Sequence, residues 1–256
     1  MRAAIIDQFR SRMGYKPDLD NPKTINEWIA VWKLEDDPRL KHYTDKITAK
    51  DTINGIVEAT PTIYAGDINW KPKSYPFIAK PSDRSGETVI ISDNRDWIRF
   101  KARFLSLPPY WRKNYETNYR GISKRVLIEP ILQGMIDVKV TCIHGEPKFM
   151  EIYSPRKNAP VNAPQKEGSS FFDTDGRFMD VKNVRHPIGL KTLPGIDLDN
   201  ILEAARKLSE PFKFVRIDLL INENIYFGEY SFWVGGGYTK YNPPDFAQTI
   251  GSWITK

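Results

Sequence analysis

Phe214-Val215-Arg216-Ile217-Asp218-Leu219-Leu220 and, beyond Glu223-Asn224, Ile225-Tyr226-Phe227-Gly228-Glu229-Tyr230-Ser231-Phe232 carry the reading on which the fold turns. Side chains alternate across a strand, so Arg216 and Asp218 share one face of the first segment while Val215, Ile217 and Leu219 take the other. In the second segment the same alternation groups Glu229 and Ser231 with Ile225 and Phe227. A two-residue hairpin loop at Glu223-Asn224 sets Asp218 opposite Glu229 and Arg216 opposite Ser231; a three-residue loop slides the register by one and separates them. Carboxylates facing each other with Cβ atoms about 5 Å apart are unfavourable unless a positive charge lies between them. A divalent cation meets that need, and Mg²⁺ characteristically takes one or two carboxylates and completes its octahedron with water and phosphate oxygens. Equally open at this level, the pair are solvated strand residues with Arg216 neutralising Asp218.

Phosphate oxygens have a candidate partner earlier in the chain. Lys80 ends the apolar run from Pro76 and opens Pro81-Ser82-Asp83-Arg84-Ser85-Gly86-Glu87, which leads into Thr88-Val89-Ile90-Ile91-Ser92. This reads as a β-hairpin whose long loop can surround phosphate with N–H groups, hydroxyls and a lysine. One glycine and no Gly-Lys-Ser/Thr ending set it apart from a Walker loop, and Gly235-Gly236-Gly237 does not fit GxGxxG. An ordinary polar hairpin tip reads the same residues equally well. Lys46 is expected at a helix N-terminus, where a cation is disfavoured unless an anion such as Asp45 compensates it.

Around these segments the periodicities give an α+β chain. Thr24-Ile25-Asn26-Glu27 has capping-box spacing and predicts a helix with Ile25, Trp28, Ile29 and Trp32 on one face; Asp36-Asp37-Pro38 breaks it. Thr44 is expected to cap a second helix from about 45 to 56. Further helices are expected near 96–104, 200–209 and the C-terminus, and strands at 125–132, 136–142 and 148–153. The result is a mostly antiparallel sheet, and residues 155–195, rich in Pro, Asn, Gly and Ser, are expected to form a long irregular connection.

Composition limits the function. A length of 256 residues allows one large domain or two modest lobes, and 40% hydrophobic residues exclude a disordered tail. A formal charge of +6 favours anionic small molecules but is weaker than a nucleic-acid binder usually carries, so no nucleic-acid partner is expected. The single cysteine, Cys142, suits a reducing compartment, and no apolar run reaches the roughly 20 residues of a membrane span; the expected location is the cytoplasm. One Cys and three scattered His argue against zinc, and no GxSxG elbow supports a serine nucleophile.

Taken in order, Thr44-Asp45-Lys46, Phe77-Ile78-Ala79-Lys80 with its Ser/Gly loop, Ile128-Glu129-Pro130, Asp137-Val138-Lys139, Arg216-Ile217-Asp218 and Phe227-Gly228-Glu229 resemble the ATP-grasp superfamily. More narrowly, Asn21-Pro22-Lys23-Thr24-Ile25-Asn26-Glu27, Asp45-Lys46, Asp137-Val138-Lys139 and Gly228-Glu229-Tyr230-Ser231-Phe232 resemble its TupA-like branch, associated with teichuronopeptide and other surface-polysaccharide synthesis.

The resemblance implies an ATP-grasp fold in which two α+β lobes with mostly antiparallel sheets enclose a nucleotide. It divides the chain into an N-terminal helical segment at 1–43, a small lobe at 44–120 and a large lobe at 121–256. It implies ATP and Mg²⁺ as cofactors. Lys46 and Lys80 would contact phosphates, Ser82, Ser85 and Gly86 would belong to a mobile flap, and Glu129, Ile131 and Leu132 would form the hinge against adenine. Asp137 would lie near the ribose, Asp218, Glu229 and Ser231 would hold the metal, and Arg216 and Arg156 would face the reacting oxygens. Many relatives carry Asn where this chain has Ser231, so weaker or water-mediated metal binding is expected. No full N-terminal α/β domain fits before residue 44, which leaves 155–195 as the candidate for acceptor recognition. The implied activity is a carboxylate–amine ligase working through an acyl phosphate, with a small carboxylate and an amine or a glycan precursor as partners. A small-molecule or sugar kinase, and a nucleotide-binding subunit without turnover, are the rival readings.

Overall fold

A computed structural model of the chain describes residues 1–153 and 168–255. Its strands are β1 (Glu58–Ala59), β2 (Tyr64–Gly66), β3 (Phe77–Pro81), β4 (Val89–Ile91), β5 (Val126–Glu129), β6 (Ile136–Ile143) and β7 (Glu146–Tyr153), then β8 (Ser169–Phe172), β9 (Phe178–Met179), β10 (Lys182–Asn183), β11 (Phe214–Ile221), β12 (Ile225–Ser231) and β13 (Tyr241–Asn242). Seven of them form the larger sheet, in the order β1-β12-β11-β6-β7-β8-β9, and four form the smaller sheet, β2-β5-β3-β4. The pairings are antiparallel except β1 with β12. The helices are α1 (Arg2–Met13), α2 (Ile25–Glu35), α3 (Leu40–Thr44), α4 (Asn94–Ser106), α5 (Leu198–Ser209) and α6 (Phe246–Ile254). The expected α+β class is what the chain adopts.

Each sheet is covered because its alternation leaves one apolar face. In the larger sheet Val138, Val140 and Cys142 on β6 and Val215, Ile217 and Leu219 on β11 are buried with Ile201, Ala205 and Leu208 of α5. Each aliphatic side chain so removed from water contributes roughly 1.5–3 kcal/mol. Asp197 caps α5 by accepting from the Asn200 N–H at 3.2 Å. The opposite face is apolar at one end, where Trp32 of α2 stacks on Phe214 at 5.5 Å; beyond it Arg216 and Asp218 make it charged, with Leu220 following them. The capping box of α2 forms as expected, and the Glu27 carboxylate also accepts from the N–H groups of Asp18 and Lys23. In the smaller sheet Phe77, Ile91, Val126 and Ile128 pack under Trp97, Phe100 and Phe104 of α4.

Three expectations need correction. The helix from 45 to 56 is instead the end of α3 at Thr44 followed by a 3₁₀ turn at Thr48–Thr52. The Asp45 side chain accepts from the Ile47 N–H at 3.0 Å and pairs with Arg125 at 2.6 Å, giving the backbone a local alternative to helix. Within 155–195, Ser169–Phe172 is a buried strand paired with β7, which the Ser-Ser-Phe-Phe order does not announce by alternation. The smaller sheet includes β5, past residue 120, and β1 joins the larger sheet, so a small lobe drawn at 44–120 does not coincide with the smaller sheet.

The hairpin of β11 and β12 is the finding that matters most for the site. Ile221 pairs with Ile225, so its loop is Asn222-Glu223-Asn224, three residues and not two. Yet Asp218 still lies opposite Glu229 and Arg216 opposite Ser231, because a bulge between the Leu219–Phe227 and Asp218–Glu229 pairs takes up one extra residue, Gly228. The bulge also puts Phe227 with Leu219 in the core while Glu229 faces the other way, a combination that an unbroken period of two forbids. Gly228 is required there by space: a Cβ would stand 2.9 Å from the Asp218 carbonyl oxygen. Denaturant unfolding of Gly228→Ala should show a loss of about 1–3 kcal/mol. Gly195→Ala, where a Cβ meets nothing within 4 Å, should stay within about 0.5 kcal/mol of the parent. Equal stability of the two variants would contradict the bulge argument.

Candidate active site

The charged face of the larger sheet brings Asp137, Lys139, Arg216, Asp218 and Glu229 together, because Asp218 is registered between Lys139 on β6 and Glu229 on β12. Arg216 donates to Asp218 in a two-pronged arrangement, Nε to Oδ1 and Nη2 to Oδ2, both at 2.6 Å, and its Nη2 also donates to Ser231 Oγ at 3.1 Å. The Lys139 ammonium sits 3.6 Å from both Asp137 and Asp218. Lys46, carried in by the turn after α3, pairs with Glu229. The positive charge that the facing carboxylates require is therefore supplied by Arg216, Lys139 and Lys46, and the neutralisation of Asp218 by Arg216 is present as one of the sequence alternatives held. Burial alone would raise the Glu229 carboxyl, but Lys46 and then Arg216 outweigh it and hold the group well below the usual range. Asp137, which burial pushes upward, is held back by Lys139.

A second knot of charge lies on the smaller sheet. Glu129, at the end of β5, is buried and bonded by Lys50 at 2.6 Å, Lys80 at 2.5 Å and the Thr60 hydroxyl at 2.7 Å. Lys50 also donates to the Thr60 carbonyl and Thr62 hydroxyl. Burial would raise the Glu129 pKa; Lys80 and Lys50 overcome that and bring it to about 2, while burial lowers that of Lys50. Glu129 thus fixes the lysine expected to meet phosphate.

Lys46, Thr60, Lys80, Thr88, Asp137, Lys139, Asp218 and Glu229 line a cavity of about 160 Å³. Next to it is a larger cavity of about 370 Å³, lined by Arg216, Ser231, Tyr110, Asn118 and the glycine turn at Gly235 and Gly236. Asp218 belongs to the first and its partner Arg216 to the second, so the two spaces meet across that ion pair. Ser85 and Gly86 border the larger cavity, whereas Ser82 is buried, donates to the Ser123 carbonyl and is anchored to Arg125 through its backbone. Ile131 and Leu132 are partly exposed in the connection from β5 to β6, which joins the two sheets. Arg156 lies outside the described residues. Lys50 and Thr60 are not singled out by the sequence, and Lys139 enters there only within Asp137-Val138-Lys139, without a role; its strand face shared with Asp137 is a usable signal, but Lys50 in a 3₁₀ turn offers none. Among the described residues no group of three or more His, Cys, Asp or Glu could hold a metal.

Because the Glu129 pKa is depressed from 4.5 to about 2, its stabilisation is fully present above pH 4.5 and lost as the pH falls through about 2. Glu129→Gln should therefore be less stable than the parent by about 3 kcal/mol at pH 7, with the difference shrinking towards pH 2. Urea titrations across that range check this; a gap that does not change with pH would contradict it.

A family model described as TupA-like ATP-grasp matches residues 19–255. No curated protein matches the chain. Among solved structures it is similar to the D-alanine–D-alanine ligase of Helicobacter pylori, with 14% identity over 83% of this chain and 60% of that one and a TM-score of 0.49. It is also similar to the D-alanine–D-alanine ligase of Bacillus anthracis complexed with ATP, with 13% identity over 74% and 53% and a TM-score of 0.43. The ATP-grasp ligase PsnB complexed with minimal precursor shares 11% identity over 90% and 67%, with a TM-score of 0.48. The chain thus spans between about half and three fifths of the length of the two D-alanine–D-alanine ligases. The family match runs through both sheets and every charged strand of the site, and the chain belongs to the TupA-like ATP-grasp family.

Proposed function

We propose that this chain is an ATP-dependent carboxylate–amine ligase, joining an amino acid or amine to a carboxylated sugar or polysaccharide precursor in the cytoplasm. The observation that carries the reading is the meeting of two cavities at Arg216: one edged by lysines and two facing carboxylates, the other open to a second reactant. Family membership supports the nucleotide, and the donor set fits Mg²⁺. Asp218 and Glu229 stand on adjacent strands with Ser231 beside them, few enough protein ligands to leave positions for phosphate oxygens and water. When bound, the ion would neutralise charge on the phosphate oxygens.

The chain's own groups divide the remaining work. Lys46 and Lys80 bind phosphate, each already positioned by a carboxylate, Glu229 and Glu129 respectively. Lys50 acts through Glu129 and is a positioning residue. Arg216 stays protonated, since Asp218 raises its pKa against the effect of burial, and it is held rigid by Asp218 and Ser231. It orients the incoming carboxylate so that one oxygen attacks the γ-phosphorus while the bond to the β–γ bridging oxygen breaks, releasing ADP. Fixed positive charge around the transferring group is where most catalysis of phosphoryl transfer arises. The amine then displaces phosphate from the acyl phosphate and loses a proton, leaving the amide.

Hydroxylamine intercepts an acyl phosphate as a hydroxamate whatever the natural amine, so a panel of uronic acids with ATP, Mg²⁺ and hydroxylamine tests the reading. Hydroxamate and ADP should appear together and in equal amounts. Asp218→Asn and Glu229→Gln should lower the rate about 100-fold or more while remaining folded. Near-parental rates in both variants, or a stable phosphorylated alcohol in place of hydroxamate, would contradict ligation.

A further inference from the structure

The larger cavity is strongly basic, and among the described residues three of its four bases form no ion pair with a carboxylate. Arg12 at the end of α1, Lys113 ahead of Asn114 and Arg185 after β10 line it together with Arg216. Arg216 is engaged by Asp218 and Ser231. The side chains of Arg12, Lys113 and Arg185 pair with no carboxylate among the described residues. Elsewhere Arg2, Arg39, Arg95, Arg103 and Arg206 each reach an Asp or Glu, whereas exposed Arg10 and Arg112 form no such pair among the described residues. Glu116 is the carboxylate on the cavity wall among the described residues, and it is occupied. It accepts from Asn114 Nδ2 at 3.0 Å and has the buried Lys33, and more weakly Lys113, as electrostatic neighbours. Lys33 in turn donates to the carbonyls of Asn114 and Gly236, tying two walls of the cavity together.

Three like charges around one concave space repel one another, and the low-dielectric walls concentrate their field within it. Such an arrangement is relieved by an anion. Arg12, Lys113 and Arg185 are exposed at the cavity's edge, but they arrive from three separate parts of the chain, so their convergence is a product of the fold and not of a charged run in the sequence. At about 370 Å³ the cavity is at the small end of the range for small-molecule sites, yet roomy enough for a ligand that spans from Arg216 to these bases.

We propose that the acceptor is at least dianionic: besides the carboxylate that meets Arg216, it carries a second anionic group, a phosphate or a further carboxylate, bound by Arg12, Lys113 and Arg185. This deepens the ligase reading and rests on it for the identity of the first anion. Arginine's planar fork suits either oxyanion, and charge-assisted bonds of this kind decide between ligands that differ by one charge.

Calorimetry of the full chain loaded with Mg²⁺ and a non-hydrolysable ATP analogue tests the proposal with three sugar acids of similar size. Glucuronate carries one charge, galactarate two carboxylates, and glucuronic acid 1-phosphate a carboxylate and a phosphate. At least one of the two dianions should bind about 30-fold or more tighter than glucuronate, and the tighter of them identifies the second group. In the double variant Arg12→Gln/Arg185→Gln that preference should fall to about threefold or less, and Lys113→Gln should reduce it in the same direction. Equal binding of all three acids, no binding by any, or a preference that survives the double variant would overturn the proposal. The analogue is titrated first on its own: its failure to bind would defeat the ligase reading, whereas its binding without a dianion preference would defeat only the second-anion site.

Discussion

Asp218 and Glu229 stand opposite each other on adjoining strands, and two carboxylates so placed can be tolerated only if cations answer them. Arg216, Lys139 and Lys46 do so from β11, β6 and the turn after α3, and the same device recurs where Glu129 is held between Lys50 and Lys80. Each of these ions loses hydration worth several kcal/mol, which offsets much of what the pairs contribute to the stability of the fold. What they provide is placement. A lysine already fixed by a carboxylate loses less freedom when it meets a phosphate, and an arginine bound at both prongs presents its remaining edge in one direction.

Seen this way, the apolar structure serves to hold the charged row at the correct height. The core under α5 fixes β6 and β11 in register, α2 and Trp32 close one end of the charged face, and the smaller sheet brings Lys80 and Glu129 to the other side of the smaller cavity. The bulge at Gly228 is the single adjustment that allows Phe227 to belong to the core and Glu229 to the site. The connection after β5 links the two sheets, so a movement of one against the other would change the distance between Lys80 and the carboxylates of β11 and β12.

Much of this was legible in the sequence because it rests on periodicity. Alternation in Phe214–Ile221 gives the shared face of Arg216 and Asp218, and the capping box at Thr24–Glu27 gives α2. The facing of Asp218 and Glu229 was legible for the wrong reason: it was expected from a two-residue loop, whereas a three-residue loop and a bulge compensate each other. An extra residue inside a strand leaves no mark in a pattern of apolar and polar letters, except a glycine whose need is visible only from the neighbouring backbone. Lys50 and Thr60 were not legible at all, since a 3₁₀ turn and a two-residue strand place them beside Glu129 by tertiary contact. The basic wall of the larger cavity was hidden for a similar reason, being assembled from α1, the segment before Asn114 and the stretch after β10.

On the proposed reading, the carboxylates facing each other across β11 and β12 would hold a divalent ion once a nucleotide is present, while keeping their contacts to Arg216 and Lys46. Electron paramagnetic resonance of Mn²⁺, used in place of Mg²⁺, measures this directly on the intact chain with a non-hydrolysable ATP analogue. The account predicts that Mn²⁺ is held tightly only when the analogue is present, and that Asp218→Asn/Glu229→Gln releases it. Retention of the Mn²⁺–nucleotide complex by that double variant at the parental affinity would contradict the account.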